Sequence, residues 1–174
     1  MCKLEWIYWF LIPRIGPMKH IVFDCDGTLV DPHSKNRPLY PGIMELLKEL
    51  REDGHLLYVW TGRDRASTLR ILSENKVLSF FEEIFTIDDG SAKPSPEGLE
   101  KMLSGVNKKS ICVIGDSYAD MLGAKHFGVM SIGALWNNIT SSEELRAYSA
   151  DFLVKDPKVC SKVISVNLKG DSDV

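Results

Sequence analysis

The sequence lacks the cysteine pattern of a zinc-binding or disulfide-stabilised protein. Its four cysteines are widely spaced without a C-x-x-C pair, and none of its four histidines is placed to complete a zinc site. This composition favours a reduced, cytoplasmic setting. Cys25 lies between two aspartates on a candidate strand, where alternation directs its side chain away from theirs, so we expect a buried thiol and no nucleophile there.

A membrane-spanning segment and an excess of positive charge are also missing from the sequence. The apolar and aromatic run over residues 6–12 is far shorter than the roughly 20 residues that a membrane-spanning helix needs, and no small-residue cleavage site follows it. Lysine and arginine number 21 against 24 aspartates and glutamates, a formal net charge of −3. This balance argues against a membrane or a nucleic acid as the partner.

The length of 174 residues fits one globular domain, and the sequence contains no internal repeat or low-complexity segment. We expect residues 1–17 to form a hydrophobic leader outside the core and residues 18–166 to form the domain. Residues 167–174 are predicted to be a polar tail.

From residue 19 onward, short apolar runs alternate with segments of helical periodicity. Apolar residues between Ile43 and Leu50, for example, recur at the i, i+3, i+4 and i+7 positions typical of one helix face. The alternation predicts an α/β fold, a doubly wound parallel sheet with helices on both faces. Its strands are predicted at residues 21–23, 56–60, 84–87, 111–114, 129–132 and, more weakly, 152–154.

Polar residues gather where the predicted strands end. In open parallel sheets, ligands bind in the crevice beyond the carboxyl ends of the strands, so these side chains should share one rim. The candidate site residues are Asp24, Asp26, Gly27, Thr28, Thr61, Gly62, Lys93, Asp116, Ser117 and Asp120.

The carboxylates of this set predict a metal ion. Asp24 and Asp116, at the ends of strands that we expect to be neighbours, would repel one another strongly unless a cation lay between them. Mg²⁺ suits a site built from one or two carboxylates, several waters and a substrate phosphate. The ammonium of Lys93 and the hydroxyl of Thr61 would hold the remaining phosphate oxygens. The sequence therefore predicts Mg²⁺ as the cofactor and a phosphorylated compound as the substrate.

The two aspartates after the first strand predict the chemistry. The carboxylate of Asp24 can accept a phosphoryl group, which divides one difficult hydrolysis into two easier displacements. Asp26 lies two residues on and on the same side of the strand, where it can protonate the leaving oxygen and later activate water. Gly27 allows a sharp turn that brings backbone N–H groups to the anion, and we add Thr28 and Gly62 to the expected phosphate-binding set.

These segments carry a family resemblance. Residues 23–29 resemble the first signature of the haloacid dehalogenase-like hydrolases, Thr61 the second, Lys93 the third and residues 115–120 the fourth, in the family's order. The resemblance covers about residues 19–154.

The resemblance implies a doubly wound fold and a phosphorylated Asp24 as the intermediate. It implies that Asp24, Asp116 and the backbone carbonyl of Asp26 hold Mg²⁺. It also implies that Asp120, with Ser117, supports Lys93 or the waters of the metal.

The same resemblance reduces the number of reactions that fit this sequence. The superfamily also contains dehalogenases, phosphonatases, mutases and ion-pump ATPases, and an acid at the position of Asp26 is typical of its phosphatases and mutases. Only about 30 to 40 residues separate Asp24 from Thr61 and Thr61 from Lys93, too few for an inserted cap domain of roughly 50 residues. We therefore predict a phosphatase of small metabolites without a sizeable cap, in which residues 29–41 form a flap. A homo-oligomer would be one way to close the open site.

Two other interpretations stay open. One is a regulatory or binding module that keeps the fold but turns over poorly, although such a module has no need of an acid at Asp26. The other is a phosphatase that acts on a phosphoprotein or a nucleic-acid end. Outside the main set, Arg63 is expected in solvent or at a helix start, with binding of a substrate anion as the alternative. Residues 136–138 follow the fifth strand at the same rim and are expected to pack, with contact to substrate as the alternative.

Removal of residues 1–17 should leave folding and phosphatase activity intact, because the first predicted strand begins only after Met18. Melting temperature and specific activity of the truncated and full-length proteins check this. A large fall in melting temperature would show that the leader packs onto the domain.

Overall fold

The computed structural model describes residues 18–169, which contain six β-strands. They are β1 (His20–Phe23), β2 (Leu56–Trp60), β3 (Phe81–Phe85), β4 (Ile111–Gly115), β5 (Met130–Ala134) and β6 (Phe152–Val154). All neighbouring strands pair in parallel, in the order β3-β2-β1-β4-β5-β6. The leader predicted at residues 1–17 lies outside the described residues.

Helices connect the strands, together with short 3₁₀ turns. The helices are α1 (Ile43–Glu52), α2 (Arg65–Glu74), α3 (Glu97–Met102), α4 (Tyr118–Phe127), α5 (Ser142–Ala147) and α6 (Cys160–Asn167). Across residues 18–169, none of these helices has the length and apolar character to cross a membrane.

Alternating side chains bury both faces of the sheet. Ile21 and Phe23 of β1 pack in a core cluster with residues of α1, α2 and α6, whereas Val22 packs in a second cluster with residues of α3 and α4. A parallel strand that is buried on both faces has a continuous apolar sequence, as β1 does here. The predicted doubly wound α/β fold is confirmed, and the described residues include no cap domain.

The predicted bounds of β1, β4 and β5 differ from the structure by only one or two residues, and larger differences occur at β3 and at the end of the domain. β3 begins at Phe81, earlier than the predicted residues 84–87, because two exposed glutamates interrupt the apolar run of this edge strand. Ile87 instead opens a 3₁₀ turn closed by Thr86 and Asp89. At the other end, α6 extends to Asn167 and Leu168 is buried in the core, so the domain reaches past residue 166.

The predicted flap is a short anchored loop. Val30 and Leu39 form an antiparallel bridge at its base. Asn75, which follows α2, accepts a hydrogen bond from the Leu39 N–H at 3.2 Å and donates one to the Arg37 carbonyl at 3.0 Å. Residues 33–36 at the tip are exposed. The flap therefore borders the crevice beyond β1 and is too small to form a separate lid.

Close packing around Trp60 joins the sheet to α3 and α4. Trp60 is 1% exposed, and a Cβ placed on Gly98 or Gly123 would collide with its ring. The same hypothetical atom on Gly123 would lie 3.3 Å from the Pro94 carbonyl oxygen. These two glycines thus allow helix backbone to approach the indole ring directly.

Gly123→Ala should lower the free energy of unfolding by about 1–2 kcal/mol. Overpacking against a rigid buried ring destabilises a protein by about 1–3 kcal/mol. The higher helix propensity of alanine offsets only about 1 kcal/mol of this loss. Urea denaturation measures the difference. Gly62→Ala is the matched control, because no heavy atom lies within 4 Å of the added methyl group. Equal stability of the two variants would contradict the packing argument.

Candidate active site

The carboxyl ends of β1 and β4 place two aspartates side by side. Asp24 directly follows β1, and its N–H donates to the Ile114 carbonyl of β4 at 2.9 Å. Asp116 directly follows β4. Asp24 is only 8% exposed, so its carboxylate stands at the base of the crevice rather than on its outer rim. The parallel register therefore produces the juxtaposition predicted from the sequence.

Lys93 lies between two carboxylates at this base. Its Nζ is 2.6 Å from Asp24 Oδ1 and 2.5 Å from Asp120 Oδ1, and its side chain is 8% exposed. The ammonium also lies 4.9 Å from the centroid of the Trp60 ring. Ion pairs on two sides and the indole ring fix the charge of Lys93 directly beside Asp24.

Asp120 supports this arrangement from α4. It is 1% exposed, and its Oδ2 accepts hydrogen bonds from the Ser117 N–H at 3.1 Å and the Ser117 hydroxyl at 2.6 Å. The two residues form the capping box that begins α4. Since one oxygen serves Lys93 and the other Ser117, these contacts support the predicted role of Asp120 as a group that holds Lys93.

Carboxylate oxygens of Asp24, Asp116 and Asp120 lie within 4.8 Å of one another, a spacing that one metal ion can bridge. Oxygen ligands of this kind are those that Mg²⁺ prefers. The carboxylate of Asp26 is not in this cluster, because it points to Arg63 instead. The ligand predicted at that residue is its backbone carbonyl, so the predicted metal set stays a prediction that the cluster supports.

The electrostatics of the cluster also suit the binding of a divalent cation. Burial raises the pKa of Asp24 to about 8, opposed by Lys93 and reinforced by the neighbouring Asp120 and Asp116. Burial likewise raises the pKa of Asp116 to about 6, and Asp120 adds to the rise. Burial alone would lower the pKa of Lys93, but Asp120 and Asp24 outweigh it and hold this pKa above its usual value. A divalent cation would relieve the repulsion among these carboxylates.

Asp116 is held by hydrogen bonds from two loops. Thr28 donates its hydroxyl to Asp116 Oδ1 at 3.3 Å, and Asn137 donates its side-chain amide to Oδ2 at 2.7 Å. Thr140 also donates its hydroxyl to Oδ2, at 3.2 Å. Residues 136–138 were expected to pack, with contact to substrate as the alternative. Asn137 instead helps to orient a predicted metal ligand, and its position after β5 was the signal that could have indicated this.

Gly27 makes the close approach of the two strand ends possible. Its φ of +83° lies in the left-handed region, which favours glycine. A Cβ at this position would lie within 2.8 Å of all three atoms of the Asp116 carboxyl group. The Asn137 amide also donates to the Gly27 carbonyl at 3.2 Å. Gly27 is therefore required both for the turn and for the space that Asp116 occupies.

Arg63 is placed differently from the sequence expectation. Its Nε and Nη2 donate to the two oxygens of Asp26 at 2.8 and 2.7 Å, a bidentate ion pair. The side chain of Arg63 is 17% exposed, and the N-cap of α2 is Asp64. Arg63 thus neither extends into solvent nor caps the helix, because Asp26 is within reach of its guanidinium group.

The structure places Thr61 and Gly62 at the end of β2, next to β1 in the sheet. Thr61 is 3% exposed, and its hydroxyl oxygen accepts a hydrogen bond from the Arg63 N–H at 3.2 Å. Gly62 borders open space. Both lie on the predicted rim, while their contact with phosphate stays a prediction.

Cys25 is buried, as predicted from strand alternation. It is fully inaccessible in the core cluster that contains Ile21 and Phe23, and burial raises the pKa of its thiol above the usual value. A buried thiol that resists ionisation is a poor nucleophile. Cys25 is therefore not a candidate nucleophile.

A match over most of the chain shows the class of this protein: the chain belongs to the haloacid dehalogenase-like hydrolases. The sequence model of that family matches residues 32–134, more than half of the 174-residue chain. The matched range contains Thr61, Lys93 and Asp116, whereas Asp24 and Asp26 precede it.

Among curated proteins, the chain is similar to bacterial pyrophosphatases PpaX. It is 33% identical to that of Anoxybacillus flavithermus over 119 residues, which cover 67% of this chain and 55% of the relative. It is 28% identical to that of Bacillus cereus over 160 residues, which cover 83% of this chain and 74% of the relative. The first alignment thus spans about half of its relative's length.

Solved structures share the fold. One described as a predicted phosphoglycolate phosphatase from Haemophilus somnus gives a TM-score of 0.75 at 19% identity, covering 84% of this chain and 97% of that one. A predicted phosphatase from Clostridium acetobutylicum gives a TM-score of 0.73 at 19% identity, and the alignment covers 85% of this chain and 99% of that one. Identities this low support the architecture alone.

The metal-free protein should lose stability as the pH rises from about 5 to about 8. The pKa values of Asp24, about 8, and Asp116, about 6, exceed the unfolded value of 3.8, so in this range the folded protein holds protons that the unfolded chain has released. Mg²⁺ should therefore raise the melting temperature more at pH 8 than at pH 5, because protons compete with the metal. Thermal unfolding with chelator and with Mg²⁺ measures both effects.

Two variants separate this effect from a general pH response. Asp24→Asn removes one of the two carboxyls with a raised pKa, so stability should then fall only until Asp116, with a pKa of about 6, has ionised. Asp31→Asn should leave it unchanged, because hydrogen bonds from Ser34 and His33 lower the pKa of this exposed carboxyl and it stays ionised over the range. An unchanged slope between about pH 7 and pH 8 in Asp24→Asn would show that groups other than Asp24 cause it.

Proposed function

We propose that this protein is a Mg²⁺-dependent phosphatase that acts through a phosphorylated Asp24. The observation that carries the proposal is the buried Asp24 carboxylate, 2.6 Å from the Lys93 ammonium and within one carboxylate cluster with Asp116 and Asp120. A nucleophile, a cation and a metal-binding geometry thus meet at one point of the crevice. A binding module would not need this combination with an acid two residues further on.

Asp24, Asp116 and the backbone carbonyl of Asp26 would hold the Mg²⁺. When bound, the ion would neutralise charge on the transferring phosphoryl group and on the two carboxylates. Lys93 would hold a second phosphoryl oxygen, because its ammonium already lies beside the nucleophile. Thr61 and the backbone N–H groups near Gly27, Thr28 and Gly62 complete the proposed phosphate site.

The reaction proceeds in two displacements. In the first, an Asp24 oxygen attacks phosphorus, the bond from phosphorus to the leaving oxygen breaks, and Asp26 gives its proton to that oxygen. In the second, Asp26 removes a proton from water as the water oxygen attacks phosphorus. Inorganic phosphate then leaves, and the Asp24 carboxylate is restored. Asp26 thus serves as acid and then as base.

The substrate that we propose is a small phosphorylated compound. The similarity to proteins named pyrophosphatase makes inorganic pyrophosphate the first candidate. With no cap among residues 18–169, the flap and the loops after β2 and β5 border the crevice. A second subunit could close it further.

The protein should hydrolyse an aryl phosphate in the presence of Mg²⁺, and chelator should abolish the reaction. Ca²⁺ should support it weakly, because its looser coordination disturbs in-line attack. Asp24→Asn should remove turnover, and Asp26→Asn should slow hydrolysis of alkyl phosphates roughly 10²- to 10⁴-fold, the usual contribution of a general acid. Phosphate release measures all of these rates.

Asp53→Asn serves as the control, since Asp53 follows α1 at the opposite edge of the sheet. It should retain full activity. A crystal soaked with beryllium fluoride, which mimics an acyl-phosphate, should carry the group on Asp24. Full activity in excess chelator would refute the proposed Mg²⁺ dependence. Full activity of Asp24→Asn would refute the assignment of Asp24 as the nucleophile.

A further inference from the structure

The ion pair between Arg63 and Asp26 has no role in the two displacements described above. It lies at the rim of the crevice, where the side chains of Arg63 and Asp26 are 17% and 29% exposed. Asp26 is the group that we propose to face the leaving oxygen, so the guanidinium group of Arg63 is adjacent to the leaving side of the site. The following inference rests on that proposed function.

The backbone holds Arg63 firmly at this position. Its N–H donates to the Thr61 hydroxyl oxygen at 3.2 Å, and its carbonyl accepts from the Ile87 N–H at 3.2 Å. The residue is therefore tied to the ends of both β2 and β3. A guanidinium group on such an anchored backbone can change partners by side-chain rotation alone.

The other nearby cations are already engaged. Lys93 pairs with Asp24 and Asp120, and Arg65 pairs with Asp89 and donates to the Ile84 carbonyl at 2.8 Å. In the part of the chain that the structure describes, every side-chain hydrogen bond of Arg63 goes to Asp26, from Nε and Nη2. Nη1 is thus left for a ligand.

We propose that Arg63 selects substrates whose leaving group carries a second anionic group close to the scissile bond. The guanidinium group would exchange the Asp26 carboxylate for that anion, which presents the same bidentate geometry. Diphosphates and phosphate esters of hydroxy acids belong to this class. The exchange also frees the Asp26 carboxyl group to face the leaving oxygen. Arg63 would hold the anion of the leaving group while the bond from phosphorus to the leaving oxygen breaks.

The test compares two alkyl phosphates of similar size. Phosphoglycolate carries a carboxylate on its leaving group, and 2-hydroxyethyl phosphate carries a neutral hydroxyl. The wild-type protein should prefer the anionic substrate, and Arg63→Gln should lower kcat/KM for it roughly 10- to 100-fold while changing the neutral substrate only a few-fold, as loss of a charged hydrogen bond predicts. Arg65→Gln, which removes the same charge two residues away, should preserve the preference.

A binding measurement makes the test independent of turnover. Methylenediphosphonate, a diphosphate analogue that is not hydrolysed, should bind the wild-type protein with Mg²⁺ about tenfold or more tightly than it binds Arg63→Gln, by calorimetry. The affinity of Arg63→Lys should lie between these two values, because lysine keeps the positive charge but lacks the planar guanidinium group that binds an anion in bidentate fashion. This variant serves if Arg63→Gln does not fold.

The outcomes distinguish the alternatives. Equal losses on the two alkyl phosphates would mean that Arg63 only positions Asp26, and unchanged kinetics with unchanged binding would mean that it does neither; each result overturns the proposal. Failure of the wild-type protein to hydrolyse an aryl phosphate, whose leaving group departs readily and carries no second anionic group, would instead refute the proposed function. An anion preference lost only in the Arg63 variants supports the assignment.

Discussion

The structure depends on one electrostatic constraint, the confinement of three carboxylates around one buried ammonium at the ends of β1 and β4. Lys93 neutralises Asp24 and Asp120 by direct contact at 2.6 and 2.5 Å, yet the pKa of Asp24 is still raised to about 8. Burial is the largest cause of this rise, Asp120 and Asp116 add to it, and the single ammonium of Lys93 does not offset it. A divalent cation bound to these carboxylates would offset the negative charge that the one ammonium leaves uncompensated.

Much of the surrounding structure serves to keep this cluster compact. Gly27 lets the chain turn without a side chain where Asp116 lies, and the collision that a Cβ would make there shows how little space exists. The capping box of α4 fixes Asp120 against Lys93, while the Asn137 amide fixes Asp116 from the other side. Helix initiation, strand register and loop contacts thus converge on the same few oxygens. Such preorganisation matters because a displaced carboxylate would lose both its charge partner and its line of attack.

The sequence predicted those parts of the fold and site that follow from local patterns and parallel topology. β2 and β6 were predicted to the residue, and the neighbouring positions of Asp24 and Asp116 follow from strands that end at one edge. β3 was displaced because an edge strand exposes residues and loses its continuous apolar run. The partner of Arg63 was not predictable, since a long side chain chooses its contact by three-dimensional proximity, which the spacing of residues along the chain does not encode. For Asn137, the position after β5 indicates the rim of the sheet but not that Asp116 is the partner.

The small size of the flap determines where substrate discrimination can arise. Residues 33–36 are exposed at its tip and the described residues include no cap, so most of a leaving group would remain in water. Contacts made in water contribute little unless they are charged and geometrically fixed. Arg63 meets both conditions, because its backbone is tied to two strand ends and its guanidinium group is only 17% exposed. In an open crevice of this kind, recognition is therefore best placed within the first few bonds of the scissile phosphate, where Asp26 and Arg63 already stand.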